Sequence, residues 1–88
     1  MKKILLVGHN YNYETKVSEK YRDTLFIAAR EIDHDNNPQR KIAMVEMVDA
    51  VLFMDNNHDS SFNIAALLLG KDICVADDYP VEEKGEEA

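Results

Sequence analysis

Between an apolar run and a helix-forming run the chain places Asp55-Asn56-Asn57-His58-Asp59-Ser60-Ser61, a stretch of carboxylates, amides, an imidazole and hydroxyls with no aliphatic side chain. Such a set can hold sugar hydroxyls, an anion or a divalent cation. A second candidate is His9, which directly follows Ile4-Leu5-Leu6-Val7-Gly8 and could hydrogen-bond a ribose or phosphate, act as a base, or cap a loop. Beside it, Asn10 is polar, and Tyr11 and Tyr13 could either stack on a base or serve the core.

Ser60 and Ser61 stand where an apolar helical pattern begins, so either could cap that helix. The same end exposes free N–H groups and the positive end of a dipole, a place for phosphate or carboxylate. Asp55, His58 and Asp59, with Asp77 and Asp78 further on, are oxygen-rich enough for Mg²⁺ or Ca²⁺. Their spacing matches neither an EF-hand nor H-E-x-x-H, and no metal is assigned. The chain also lacks G-x-G-x-x-G, the phosphate-loop motif and G-x-S-x-G, so no cofactor is implied. Gly8 permits close backbone approach to a ligand, whereas Gly70-Lys71 closes a helix.

Positioning these residues requires strands that end where they begin. Ile4-Leu5-Leu6-Val7 and Val51-Leu52-Phe53-Met54 are continuous apolar runs, the pattern of central parallel strands covered on both faces. Thr24-Leu25-Phe26-Ile27-Ala28-Ala29 could continue a preceding helix, but a second βα unit needs a strand there. Ile73-Cys74-Val75-Ala76 reads as the last strand. The first helix is expected over residues 14–23, where Val17 and Tyr21 lie four apart. A second starts at Asn37-Pro38, a capping side chain followed by a proline at the first helical position, and buries Ile42, Met44, Val45 and Val48. Met44 and Met47 read as core filler.

The third helix, residues 62–69, carries Phe62, Ile64, Ala65, Ala66, Leu67, Leu68 and Leu69 and almost no polar face. A helix of this kind is buried all round or paired with another chain. In so small a domain the second option is expected, a homo-oligomer through that helix. The predicted fold class is α/β: a three-layer, Rossmann-like (flavodoxin-like) parallel four-stranded sheet of order 2-1-3-4, built from right-handed crossovers. Ligands in such sheets settle outside the carboxyl ends of the strands where the order reverses. The expected ligand site is therefore Gly8, His9, Asn10, Tyr11, Asp55, Asn56, Asn57, Ser60, Ser61 and Asp77.

The 88 residues, 45% of them hydrophobic, allow one domain over residues 1–80, close to the size at which buried area is barely sufficient. Residues 81–88 form an acidic tail with no apolar period, expected to stay solvated. With 17 acidic against 10 basic residues the formal charge is −7, which repels nucleic acid and anionic membranes. Neither is expected as a partner. Cys74 is the one cysteine and reads as a small buried hydrophobe. Lys2-Lys3 and four apolar residues are too short for a signal peptide or a membrane span, and a cytoplasmic protein is expected.

The segment Met47-Val48-Asp49-Ala50-Val51-Leu52-Phe53-Met54-Asp55, followed by Asp59-Ser60-Ser61, Ala66 and Gly70-Lys71, resembles the nucleoside 2-deoxyribosyltransferase-like superfamily. Those proteins carry a D-A-V strand, an Asp after it, a serine- or glycine-rich turn, and a helix reading E-x-x-x-A-x-x-x-G-K. The resemblance covers about half the chain. It implies a flavodoxin-like sheet, a nucleoside or nucleotide whose sugar sits at these strand ends, and sites completed by a neighbouring subunit. Counting back from Gly70-Lys71 through Ala66 puts Phe62 where the family's nucleophilic glutamate stands, or Asn63 after a slip of one.

Neither side chain can form a glycosyl intermediate, so no catalytic residue is assigned. The expectation is a small oligomeric binder of a nucleoside, nucleotide or ADP-ribose-like ligand without turnover: a sensor, a regulator, or a sponge for a nucleotide signal, such as a phage counter-defence protein. The alternative is an enzyme that cleaves or transfers an N-glycosidic bond through Asp55, Asp59 or His9. A third possibility is a protein-interaction module that docks through the third helix.

Overall fold

A computed structural model describes residues 1–29, 38–54 and 60–81 of the chain. Strands β1 (Lys2–Val7), β2 (Thr24–Ala28), β3 (Ala50–Phe53) and β4 (Asp72–Val75) alternate with helices α1 (Tyr11–Lys20), α2 (Pro38–Glu46) and α3 (Ser60–Leu68), and a 3₁₀ turn, Ala76–Asp78, follows. The four strands form one parallel sheet in the order β2-β1-β3-β4. This is the predicted α/β three-layer fold. The ambiguous run at Thr24 is indeed a strand, pairing Ile4 with Phe26 and Leu5 with Ile27.

The two central strands explain the continuous apolar runs. Alternate side chains point to opposite faces, so Leu5, Val7, Val51 and Phe53 pack with Val45, Val48, Phe62, Ala65 and Ala66 under α2 and α3. Ile4, Leu6, Ala50 and Leu52 pack with Tyr13 and Val17 of α1. Every residue from Ile4 to Val7 and from Ala50 to Met54 is buried. Each fully buried Leu, Ile or Phe contributes about 2 kcal/mol, and they concentrate on β1 and β3.

Among the described residues α1 is the one helix on the second face, and the chain beyond β4 packs there with it. Ala76, Tyr79 and Val81 pack against that cluster with Tyr21 and Phe26. Tyr21, Phe26 and Tyr79 meet edge to face, with Tyr21 and Tyr79 centroids 5.2 Å apart. Backbone carbonyls of this strap are held by side chains: the Tyr13 hydroxyl donates to Tyr79 O at 2.8 Å, and the Tyr21 hydroxyl and Lys20 Nζ both donate to Pro80 O at 2.9 Å.

Several local expectations are corrected. Helix α1 starts at Tyr11 and ends at Lys20 instead of spanning 14–23, because Asn10 Oδ1 accepts the Tyr13 N–H at 3.1 Å and caps it three residues earlier. Tyr13 is buried with its hydroxyl committed to the strap, so it serves the core and not a base-stacking surface. Met47 lies past the end of α2 and is exposed, as is Ile42; Met44, Val45 and Val48 alone turn inward. Cys74 is only half-buried, since β4 is an edge strand, and desolvation pushes its thiol pKa up. Asn37, the expected cap of α2, lies outside the described residues, while Pro38 is the first helical residue as predicted.

Helix α3 begins at Ser60, two residues before its apolar pattern, because first-turn N–H groups need no helical partner and polar residues are tolerated there. It ends at Leu68, one residue before the expected Leu69, and is closed as expected by Gly70, whose φ of 68° is left-handed. There Lys71 N–H donates to Ala66 O at 2.9 Å and Gly70 N–H to Leu67 O at 3.3 Å, a Schellman closure. The helix is not buried all round. Phe62, Ala65 and Ala66 face the sheet, whereas Ile64, Leu67, Leu68 and Leu69 remain exposed.

Candidate functional site

Strand order decides where a ligand can sit. β1 lies between β2 and β3, with α1 on one face of the sheet and α2 on the other, so the chain leaves the carboxyl ends of β1 and β3 in opposite directions. A crevice opens at such a point. The two strand ends are side by side: Val7 pairs with Phe53, and the Met54 N–H donates to Val7 O at 2.9 Å. Gly8 follows with φ of 118°, a backbone conformation that a side chain would strain. The turn it makes leads straight into His9, Asn10 and Tyr11, all exposed.

Asn10 is partly committed, since its side-chain oxygen caps α1. Tyr11, the first residue of that helix, is 64% exposed, so its ring is presented to solvent beside His9. Because each helix returns antiparallel to its strands, α1, α2 and α3 all begin at this same edge of the sheet. Ser61 lies inside the first turn of α3 and is exposed; the capping position precedes Ser60 and falls outside the described residues. Asp55, Asn56, Asn57, His58 and Asp59 also lie outside them.

Asp77 sits in the turn after β4, exposed and on the same edge, but two strands away from β1. Its neighbour Asp78 has a structural task, accepting the Val75 N–H on Oδ2 at 2.9 Å. Thus Gly8, His9, Asn10 and Tyr11 gather at the switch point, Ser61 joins them on the same edge through α3, and Asp77 stands apart. Among the described residues no group of three or more His, Cys, Asp or Glu side chains could hold a metal ion.

Lys41 is a residue that the sequence reading left among polar surface positions. Its Nζ lies 5.2 Å from the centre of the Phe62 ring, a cation–π contact that brings a positive charge to the first turn of α3. The signal was present: with Pro38 at the first helical position, Lys41 must lie in the first turn of α2, at the ligand edge.

No family model matches the sequence, and comparison with curated proteins and with solved structures finds no match either. What the edge can do follows from its own residues. A glycine turn, an imidazole, an amide, an exposed phenol ring, a hydroxyl and an ammonium are groups that hold sugars, bases and phosphates by hydrogen bonding and stacking. No helix among the described residues is long and apolar enough to cross a membrane.

Proposed function

We propose that this chain is a binding module for a nucleoside, nucleotide or ADP-ribose-like molecule and does not turn it over. One observation carries the reading: the carboxyl ends of β1 and β3 are adjacent, and after the turn at Gly8 the chain presents His9, Asn10 and Tyr11 exposed at that junction. In this reading Tyr11 stacks on the base, His9 and the Gly8 backbone contact the sugar, and the start of α3, with Ser61 and Lys41, receives a phosphate where one is present. The resemblance to the nucleoside 2-deoxyribosyltransferase-like superfamily supports the ligand class.

Absence of turnover is supported by Phe62. Counting back to the position of that superfamily's nucleophile reaches Phe62, a ring fully buried between α3 and the sheet, or Asn63 after a slip of one, and neither is a carboxylate. A sensor, a regulator or a sequestering sponge, as in phage counter-defence, would need ligand-binding groups of this kind and no more.

Native mass spectrometry of the purified full chain tests the proposal. A co-purified or added nucleoside or nucleotide bound stoichiometrically supports it, and failure of a panel of nucleosides, nucleotides and ADP-ribose to bind overturns it. Release of free base from the same panel, abolished by Asp55→Asn, would replace it with the glycosidase or transferase alternative.

A further inference from the structure

The strap that follows β4, Ala76 to Val81, is not part of the sheet, and side chains of the α1 segment hold its carbonyls. At one point the Tyr13 hydroxyl donates to Tyr79 O at 2.8 Å; at the next, Lys20 Nζ and the Tyr21 hydroxyl converge on Pro80 O at 2.9 Å. The strap is thereby fastened to both ends of α1. That helix depends on the fastening, because it buries just Tyr13 and Val17, and one of the two spends its hydroxyl on the strap.

Tyr13 is engaged at its backbone as well. Its N–H donates to Asn10 Oδ1 at 3.1 Å, and the next N–H, of Glu14, donates to Asn10 O at 3.0 Å. These two bonds close the turn on which Asn10 and Tyr11 stand, so one residue joins the strap to the segment at the switch point. We infer, on the reading that the junction beyond β1 and β3 is a ligand site, that the strap positions its His9 to Tyr11 segment through Tyr13. Strap docking and ligand binding then favour each other.

The sign follows from preorganisation. A first helical turn that frays must be ordered when a ligand engages His9 and Tyr11, and a docked strap has ordered it beforehand. By linkage the ligand stabilises the docked strap to the same extent. The strap is also built to undock: it offers the core three half-buried side chains, Ala76, Tyr79 and Val81, while Asp77, Asp78 and Pro80 are exposed. Segments held by side-chain bonds in place of a ladder occupy the low-stability end of a fold.

Amide hydrogen exchange of the full chain tests the coupling with the double variant Lys20→Met, Tyr21→Phe, which frees Pro80 O about three helical turns from Asn10. Exchange is expected to quicken about fivefold at Tyr79 and also at Tyr13 and Glu14, with α2 and α3 unchanged. Asp49→Ala, a control at the amino edge, leaves Tyr13 and Glu14 as in the wild type. Whichever of adenosine, AMP and ADP-ribose binds the wild type should slow exchange at Tyr79 and bind the double variant about fivefold more weakly by calorimetry. Faster exchange confined to the strap, an equal rise at Tyr13 and Glu14 in Asp49→Ala, or unchanged affinity in the double variant would each overturn the inference. Binding of none of the three to the wild type would count against the ligand class, and the exchange pattern would still decide whether the strap and the start of α1 move together.

Discussion

β1 and β3 are neighbours at both edges of the sheet, and the two ends of that contact are put to opposite uses. At the amino edge, Lys3 N–H donates to Asp49 Oδ2 and Asp49 N–H returns to Lys3 O, both at 2.8 Å. Asp49 O then accepts the Asp72 N–H at 3.4 Å, so one residue ties three strands in register. At the carboxyl edge the last shared bond among the described residues is Met54 to Val7, after which Gly8 turns the chain and polar side chains meet solvent. A parallel pair pinned at one end can open at the other without slipping, and a register slip is what would scatter a site built on two strand ends.

Substitutions at each end sharpen that contrast. Gly8→Val has the largest expected effect, since a β-branched residue at φ of 118° costs about 2–3 kcal/mol. Chemical denaturation would read it, and wild-type stability would remove the argument for a glycine turn. Asp49→Ala deletes the side-chain half of the staple at an exposed position and costs about 1 kcal/mol. Ligand affinity should survive it. If affinity collapsed while the protein stayed folded, the amino edge would belong to the site and the contrast would fail.

Tyr13→Phe is expected to cost a similar or slightly smaller amount, about 1 kcal/mol, by releasing the strap from Tyr79 O. It also carries a pH signature. Burial first, then the neighbouring Tyr21 and Asp78, push the Tyr13 pKa up to about 12 from 10.0. The folded state therefore holds this proton more tightly than the unfolded chain. Stability from it is intact below about pH 10 and falls as pH rises toward about 12. A pH series of denaturation midpoints should show that alkaline decline in the wild type and a shallower one in the variant.

Smallest in stability are His9→Ala and Tyr11→Ala, each expected within about 0.5 kcal/mol of wild type because both side chains are exposed. Their effect should appear in affinity, roughly a tenfold loss for a nucleoside by calorimetry. Loss of stability without loss of affinity would make them scaffold and not site.

The fold was legible because its central strands are buried on both faces, and strands so covered read as unbroken apolar runs such as Ile4 to Val7. Gly70 marked a helix end for an equally local reason. Less legible was anything that depended on where elements pack. Asn10 stood outside the expected helix until its cap bond fixed the start of α1, and Tyr13 was paired with Tyr11 although two residues, about 200° around a helix, separate a buried ring from an exposed one. Asp49, quoted in the family resemblance, proved to be a register staple at the far edge. Pro38 fixes Lys41 at the ligand edge, but its place beside Phe62 is set by contact between α2 and α3, which periodicity within one helix does not encode.

The central claim is that the junction beyond β1 and β3 is a ligand site. Amide chemical-shift mapping of the full chain with a nucleoside, its monophosphate and ADP-ribose tests it most directly. Saturable shifts are expected at Gly8, His9, Asn10, Tyr11, Met54 and Ser61, with Lys3, Asp49 and Asp72 unmoved. Shifts confined to the amino edge, or none with any of the three, would contradict it.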